Sequence, residues 1–272
     1  MAGQGCQFGG GGGGQITLED LTAGPGPEPE GESTESVSNS NAVLEEGDEQ
    51  PEGEEGDRLF SYWQTIGRGH RVEVPREMAE PIQQLTRNNQ PQDREMVPFA
   101  QISQKKKCDQ VLYEKRRYEK AKWACVNLDE GNYEQATCLG FMKLMRYICG
   151  QNSSGLYLGM TLPIVTIVRT NQSRSELLST VTVAYHLPGQ FQDQIPQPSV
   201  ADIQIEEWPA NIVYTRPFNG VTNEDSILQE INQLAEYLDN PEPLLQDTFI
   251  IARYSNPAAP NHQNEIWFIQ RP

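Results

Sequence analysis

Four neighbouring residues could form the wall of a binding slot for a flat apolar molecule that carries a carboxylate. Phe141, Leu144 and Met145 fall within about one turn of each other in a stretch with helical periodicity. Methionine is flexible and polarisable, so it adapts to ligands of varied shape. Arg146 follows directly, and its guanidinium is a planar fork that pairs with carboxylates. The alternative is a structural role, in which the three apolar residues are core and Arg146 is a surface charge.

The chain lacks the common spacings of catalytic and metal-binding residues. It contains no GxSxG, P-loop, HExxH or CxxC sequence. Its five cysteines are an odd set without paired spacing, which disfavours a disulfide framework or a zinc site and suits a reducing cytosol. Of its three histidines, His70 precedes the main domain and His262 lies in a polar loop. His186 belongs to an alternating strand pattern, and we expect it to face solvent or a polar neighbour. These patterns predict that the protein is not an enzyme.

Charge divides the chain into an acidic tail and a nearly neutral body. Residues 1 to 57 contribute -14 to the formal net charge of -17, so the remaining residues of the 272 carry -3. The tail is rich in glycine and has no Trp or Tyr, so we expect it to be disordered. A nearly neutral body offers no electrostatic footprint for nucleic acid. No signal peptide and no membrane-spanning apolar run are visible, which predicts a cytoplasmic protein without membrane contact.

The folded domain is expected from residue 94 to residue 272, after a partly ordered arm over residues 58 to 93 with a short predicted helix at 75–86. Periodicity predicts the order strand, strand, helix, strand, strand twice in this domain. The elements of the first half are a hairpin of 110–118 and 121–128, a helix at 133–149, and strands at 157–168 and 178–187. The elements of the second half are a hairpin of 203–207 and 211–218, a helix from a capping box at Thr222 and Asp225 to Leu238, and strands at 248–254 and 265–270. The repeat predicts an α+β domain of two pseudo-symmetric ββαββ halves, with two helices packed on one antiparallel sheet or open barrel.

Four stretches, in order and at the expected separations, resemble the SOUL haem-binding protein family. They are 113–123 (YEKRRYEKAKW), 159–164 (GMTLPI), 205–207 (IEE) and 264–270 (NEIWFIQ). Residues 97–99 and 187–192 look more like the heme-binding protein 1 branch of that family. The resemblance covers about 175 residues, from around Met96 to the C-terminus. It implies a distorted antiparallel β-barrel flanked by two helices, with haem or porphyrin binding and no catalysis.

The resemblance also points to two further positions. In some SOUL proteins a histidine of the first hairpin is proposed to bind iron, and Arg117 stands at the matching position. In the heme-binding protein 1 branch a helix arginine is assigned to a haem propionate, and Cys138 stands there. The cofactor site implied for this chain consists of Cys138, Phe141, Leu144, Met145, Arg146 and Arg117. We expect it to hold haem or a related tetrapyrrole in an apolar cleft without a strong axial ligand, for buffering or carriage.

A protein–protein interaction module, with haem binding lost, is the alternative function. The acidic tail of residues 1 to 57 could contact a basic protein partner. The second predicted helix carries an apolar stripe that could dock into a groove of a partner if it were exposed. Its members are Ile227, Leu228, Ile231 and Leu234. The structural alternative is that the tail only solubilises the protein and that the stripe is core.

Overall fold

The computed structural model describes residues 52–88, 94–129, 131–238, 243–254 and 263–271. The predicted disorder of the acidic tail falls almost entirely on residues 1–51, which lie outside the described residues. His262 also lies outside them. The last residues of the predicted tail, from Glu52, belong to the first helix.

A nine-stranded antiparallel sheet is the centre of the described fold. The strands are, in chain order, β1 (Glu95–Met96), β2 (Phe99–Lys107), β3 (Gln110–Tyr118), β4 (Ala121–Leu128), β5 (Thr161–Leu162), β6 (Ile164–Arg169), β7 (Val181–His186), β8 (Ile203–Trp208), β9 (Asn211–Asn219), β10 (Leu244–Arg253) and β11 (Gln263–Gln270). The sheet has the order β2-β3-β9-β11-β10-β6-β7-β4-β8, and β1 and β5 form a separate parallel pair. The predicted α+β class is confirmed.

The order of the strands is symmetric about the contact between β6 and β10. The symmetry exchanges β3 with β8, β4 with β9, β6 with β10 and β7 with β11. Under this exchange every pairing among these eight strands falls on a pairing that is present, and the β6–β10 pairing falls on itself. The sheet nevertheless has two edges in the described residues, at β2 and β8. It does not close, so the expected distorted barrel is not confirmed.

The two hairpins predicted from the sequence are wrong. β3 and β4 follow each other directly but do not pair, because β3 pairs with β2 and β9 whereas β4 pairs with β7 and β8. In the same way β8 pairs with β4, and β9 pairs with β3 and β11. Alternation of apolar and polar residues specifies which face of a strand is buried and leaves its partner open. The chain therefore crosses between the two halves of the sheet at both turns.

Two helices pack on one face of the sheet, α3 (Tyr133–Ile148) and α4 (Glu224–Tyr237). Asn132 caps α3, accepting a hydrogen bond from the Gln135 backbone N–H at 2.9 Å. The capping box of α4 is formed by Asn223 and Ser226, one residue later than the predicted box. Thr222 is instead buried and accepts a hydrogen bond from Arg253.

The apolar stripe of α4 is part of the core. Ile227, Ile231 and Leu234 are completely buried, and Leu228 is half-buried. The suggested docking surface on this helix is therefore wrong, because the stripe faces the sheet.

The arm before the sheet folds back onto α3. It consists of α1 (Glu52–Gly69), a 3₁₀ turn at Arg76–Met78 and α2 (Ala79–Asn88), which includes most of the predicted short helix. Trp63 and Leu85 are almost fully buried in the same apolar cluster as α3 and the inner face of the sheet. The arm thus contributes directly to the main core.

Candidate functional site

The strands present a second apolar face on the side of the sheet opposite α3 and α4. Because successive side chains of a strand point to opposite faces, the residues that do not pack against the helices gather here. This cleft face is formed by Val97, Tyr118, Trp123, Cys125, Val165, Ala184, Val213, Ile250, Ala252 and Trp267.

A cleft of about 370 Å³ lies on this face and is lined by two pairs of stacked rings. The ring centroids of Trp123 and Trp208 are 4.4 Å apart, with an angle of 17° between the planes. Those of Tyr118 and Trp267 are 4.9 Å apart, with an angle of 27°. Flat aromatic surfaces around an apolar space of this size suit a planar apolar ligand. This aromatic cleft is the candidate binding site.

The crossing of the chain between the halves of the sheet creates the cleft. The turn after β3 and the turn after β8 both border it, through Glu119 and Pro209. In the β4–β8 register Trp123 lies opposite Glu206, two residues from Trp208, so the indoles are diagonal neighbours on one face. The indole N–H of Trp208 donates to a carboxylate oxygen of Glu206 at 3.1 Å. The stacked pair is thus held by register and by a hydrogen bond.

His186 lies in the wall of the cleft. It is opposite Trp123 in the β4–β7 register, and the two rings meet edge to face with centroids 5.0 Å apart. The residue is 4% exposed, and its Nδ1 atom is buried without a hydrogen-bond partner. Burial lowers the pKa of His186 to about 4, so the imidazole is neutral at pH 7. The expectation that it faces solvent or a polar neighbour is wrong, because β7 is a central strand buried on both faces.

A buried polar network fixes one end of the cleft. Arg116 donates two hydrogen bonds to Glu265, from Nη1 at 3.0 Å and from Nη2 at 2.8 Å, and its Nε donates to Glu114 at 2.8 Å. Burial opposes the charge of Arg116, but Glu265 outweighs this and raises the pKa of the guanidinium. The Oε2 atom of Glu265, which accepts from Nη1 of Arg116, also accepts from the Tyr254 hydroxyl and from the Trp267 indole, each at 2.8 Å. Glu265 therefore orients the indole that lines the cleft.

The apolar residues predicted to line a slot on α3 lie together, but they lie in the core. Cys138, Phe141, Leu144 and Met145 are each at most 1% exposed. Side chains of the arm cover this face of α3 and leave a gap of only about 10 Å³ beside Cys138 and Phe141. The covering side chains are Trp63, Val74, Met78 and Ile82. A planar ligand finds no space on this face while the arm is in place.

The two predicted arginines are not brought together. Arg146 donates to the side chain of Gln151 at 2.8 Å and lies 3.4 Å from the carboxylate of Glu77, so it connects α3 to the arm. Arg117 is exposed on β3 and pairs with Glu119 at 3.1 Å. α3 itself packs on β4 and β7, away from β3.

The aromatic lining of the cleft escaped prediction because it depends on pairing. Alternation places Trp123 on one face of its strand, and Trp208 immediately precedes the turn proline. Neither signal reveals that β4 and β8 are partners, and this pairing is what brings the two indoles together.

None of the four described cysteines is in a disulfide. Cys125, Cys138 and Cys149 are buried, whereas Cys108 is exposed. Burial raises the pKa of Cys149 to about 12 and also raises that of Cys125, which keeps both protonated. Across the described ranges, no group of three or more His, Cys, Asp or Glu side chains is placed to hold a metal ion. None of the described helices is long and apolar enough to cross a membrane.

Comparison with known proteins identifies similar chains. A family model described as SOUL heme-binding protein matches residues 94–269. Heme-binding protein 1 of Mus musculus is 30% identical over 164 residues, which cover 60% of this chain and 86% of that protein. Heme-binding protein 2 is 31% identical in Mus musculus and 30% identical in Homo sapiens, in both cases over 162 residues that cover 58% of this chain and 78% of the relative. The family model begins after α1 and α2, so the arm lies outside it.

Proposed function

Because the chain belongs to the SOUL heme-binding protein family, we propose that it binds haem or a related tetrapyrrole in the aromatic cleft and buffers or carries this ligand without catalysis. The observation that carries the proposal is the cleft of about 370 Å³ with its two stacked aromatic pairs. This volume is within the range of roughly 300 to 1,000 Å³ that is usual for small-molecule sites.

The residues of the cleft fit the parts of a tetrapyrrole. Trp208 is half-buried and offers ring surface on which a macrocycle stacks, Trp123 supports it from behind, and the apolar lining excludes water. Lys120 lines the cleft, and its ammonium lies 3.3 Å from the carboxylate of Glu207, with both side chains more than half exposed. An exposed ion pair contributes little stability, so a propionate can replace Glu207 beside Lys120. When bound, the group supplies a flat apolar ring and, in haem, an iron atom.

The polar groups at the rim support binding without catalysis. The carboxylate of Glu95 accepts a hydrogen bond from the Gly189 backbone N–H at 3.0 Å. The Gln192 amide donates to the backbone oxygen of Leu187 at 2.6 Å and accepts from the Lys122 backbone N–H at 2.7 Å. These groups hold the walls of the cleft in place and are engaged with the backbone. A preformed apolar site of this kind suits storage or transfer of a ligand.

Titration of the full-length chain with hemin and with metal-free protoporphyrin tests the proposal. Saturable binding of both, followed by Soret absorbance and Trp fluorescence, is expected. Trp208→Ala should weaken both by roughly tenfold, since a lost ring contact costs about 1 to 1.5 kcal/mol. Tyr113→Ala removes a ring on β3 that does not line the cleft and should leave both affinities unchanged. If neither ligand binds at tens of micromolar, the proposed function is wrong. If Trp208→Ala binds both ligands with unchanged affinity, the ligand does not bind in the aromatic cleft.

The slot on α3 is the second location for the same ligand. Binding among Cys138, Phe141, Leu144 and Met145 requires α1 and α2 to leave α3, because the arm covers that face. Arg146 would then be free of its contact with the arm and could pair with a propionate. Arg146→Gln weakens binding at this location and leaves binding in the aromatic cleft unchanged, so it separates the two.

An interaction module is the remaining alternative function. It would use the acidic residues 1–57 toward a basic protein partner, since the stripe of α4 is buried. If neither hemin nor protoporphyrin binds the full-length chain, the interaction module becomes the favoured function.

A further inference from the structure

The outer edge of β2 is unpaired in the part of the chain that the structure describes. β2 pairs with β3 on one side and ends the nine-stranded sheet, and all nine of its residues are exposed. Such an edge presents backbone N–H and C=O groups to which another strand can add. The strand begins with apolar residues, since Phe99 is 43% and Ile102 is 49% exposed, and it ends with Lys105–Lys107. A strand that is apolar at its beginning and acidic farther on complements this edge.

The charge of the edge favours an acidic strand over a second copy of β2. Residues 99–118 contain six Lys and Arg against two Asp and Glu, which gives +4, whereas residues 58–272 together carry -3. The ion pairs among the described residues include none of Lys105–Lys107. Lysines on an edge strand keep identical strands apart, because like charges repel. The same lysines attract carboxylates.

We propose that residues 16–22 of the acidic tail add to the outer edge of β2 of the same chain as a further, parallel strand. This stretch, ITLEDLT, lies outside the described residues. It has no glycine or proline, and three of its seven residues are β-branched, a composition that suits a strand. In the parallel direction Ile16 and Leu18 come beside the apolar half of β2, and Glu19 and Asp20 come beside its lysines. The inference does not depend on the ligand of the aromatic cleft.

The chain between this segment and α1 is long enough for the contact. α1 packs with the arm on α3, which contacts β4 and β7, and β7 is six strands away from β2 in the sheet. At about 4.8 Å between neighbouring strands, this is about 29 Å along the sheet. Residues 23–51 span up to about 95 Å when extended, so they bridge it easily. Residues 42–46, another aliphatic and acidic stretch, are separated from α1 by five residues that span at most about 17 Å.

A tethered strand on β2 has a protective role. The tether keeps residues 16–22 at a high local concentration beside the edge, so strands of other chains must displace them. The tail then blocks edge-to-edge association of the sheet.

Hydrogen–deuterium exchange of the full-length chain, followed by mass spectrometry on peptides that cover β2, tests the inference. The first variant, Glu19→Lys with Asp20→Lys, reverses the charges of the added strand and leaves the sequence of β2 intact. Exchange of β2 should become faster by on the order of fivefold, which corresponds to the loss of two exposed charge pairs. Adding Lys105→Glu and Lys106→Glu to this variant restores opposite charges and should slow the exchange again.

Glu28→Lys with Glu30→Lys is the matched control. It changes the charge of the tail by the same amount, but Pro27 and Pro29 alternate with these positions and prevent pairing as a strand. Exchange of β2 should equal that of the unaltered chain.

Three results would overturn the inference. Unchanged exchange of β2 in Glu19→Lys with Asp20→Lys means that residues 16–22 do not cover the edge. Equally fast exchange in the control means that the tail is attracted by its net charge alone, without an added strand. Protection of β2 that grows with protein concentration means that the tail of a second copy is the occupant. Each result leaves the hemin titration, and with it the proposed function, to be decided separately.

Discussion

Replacing Glu265 by glutamine should destabilise the folded protein strongly. Glu265 is 8% exposed and accepts hydrogen bonds from Arg116, Tyr254 and Trp267. The Glu265→Gln side chain has no charge, and its NH₂ group would face a guanidinium N–H, so one donor would oppose another. Arg116 would keep its contact with Glu114 but would lose its main counter-charge in a buried site.

The magnitude follows from removing the bidentate carboxylate of a buried cation that then keeps only Glu114. Removal of one member of a buried ion pair costs about 3 to 5 kcal/mol, more than the net value of the pair, because the remaining charge is desolvated. Because Arg116 keeps Glu114, we expect Glu265→Gln to lower the free energy of unfolding by about 3 kcal/mol, at the lower end of this range. Urea unfolding followed by circular dichroism and Trp fluorescence measures this loss.

Glu114→Gln is the matched control. Glu114 also contacts Arg116 but is more exposed, with a side-chain exposure of 16% against 10% for Glu265. It should cost only about 1 kcal/mol. Adding Arg116→Met to Glu265→Gln should recover part of the loss, because the buried guanidinium is then gone and the more exposed Glu114 carboxylate keeps its hydrogen bond from Gln104. A cost of Glu265→Gln no greater than that of Glu114→Gln would refute the reasoning.

Two further predictions concern His186 and the arm. The folded pKa of His186, about 4, is below the usual value of 6.5, so the unfolded chain binds its proton first and stability falls as the pH drops from about 6.5 to 4. This residue contributes up to about 3 kcal/mol to the loss. The urea midpoint of the unaltered chain should therefore fall relative to that of His186→Phe from pH 7 to pH 4.5, and a difference between the two midpoints that is independent of pH contradicts the assignment. Trp63→Ala should lower the free energy of unfolding by about 3 to 5 kcal/mol, because the indole is 1% exposed between the arm and α3. A single urea transition with a lower midpoint is expected, and a cost below about 1 kcal/mol would show that the arm does not share the core.

The sequence was informative about elements and faces but not about partners. Helical spacing placed α3 at 133–149, and the helix ends at Ile148. Alternation located β3 and β4 at their observed bounds. The same pattern suggested that these two strands pair, and they do not, because alternation carries no information on which strand lies alongside. Long-range pairing depends on contacts between residues that are far apart in the chain.

The core position of the predicted slot residues is invisible in the sequence for a related reason. An apolar stripe such as that of Phe141 and Leu144 is the same whether a ligand or another part of the chain covers it. The cover here is the arm, whose mixed composition does not reveal that Trp63 and Ile82 are buried against α3. His186 was misassigned because a strand covered on both faces has no solvent side, and its position in the centre of the sheet is a property of the topology.

Binding experiments need the arm, because it covers α3 on one face of the sheet while the aromatic cleft lies on the other face. A fragment that begins at residue 94 lacks α1 and α2 and therefore exposes Phe141 and Met142, which the arm otherwise covers. An exposed apolar helix face adsorbs porphyrin by itself, so binding by the fragment would not distinguish the slot on α3 from the aromatic cleft. In the full-length chain the slot is closed while the cleft is open. Binding that survives Arg146→Gln and is weakened by Trp208→Ala in the full-length chain can then be assigned to the cleft alone.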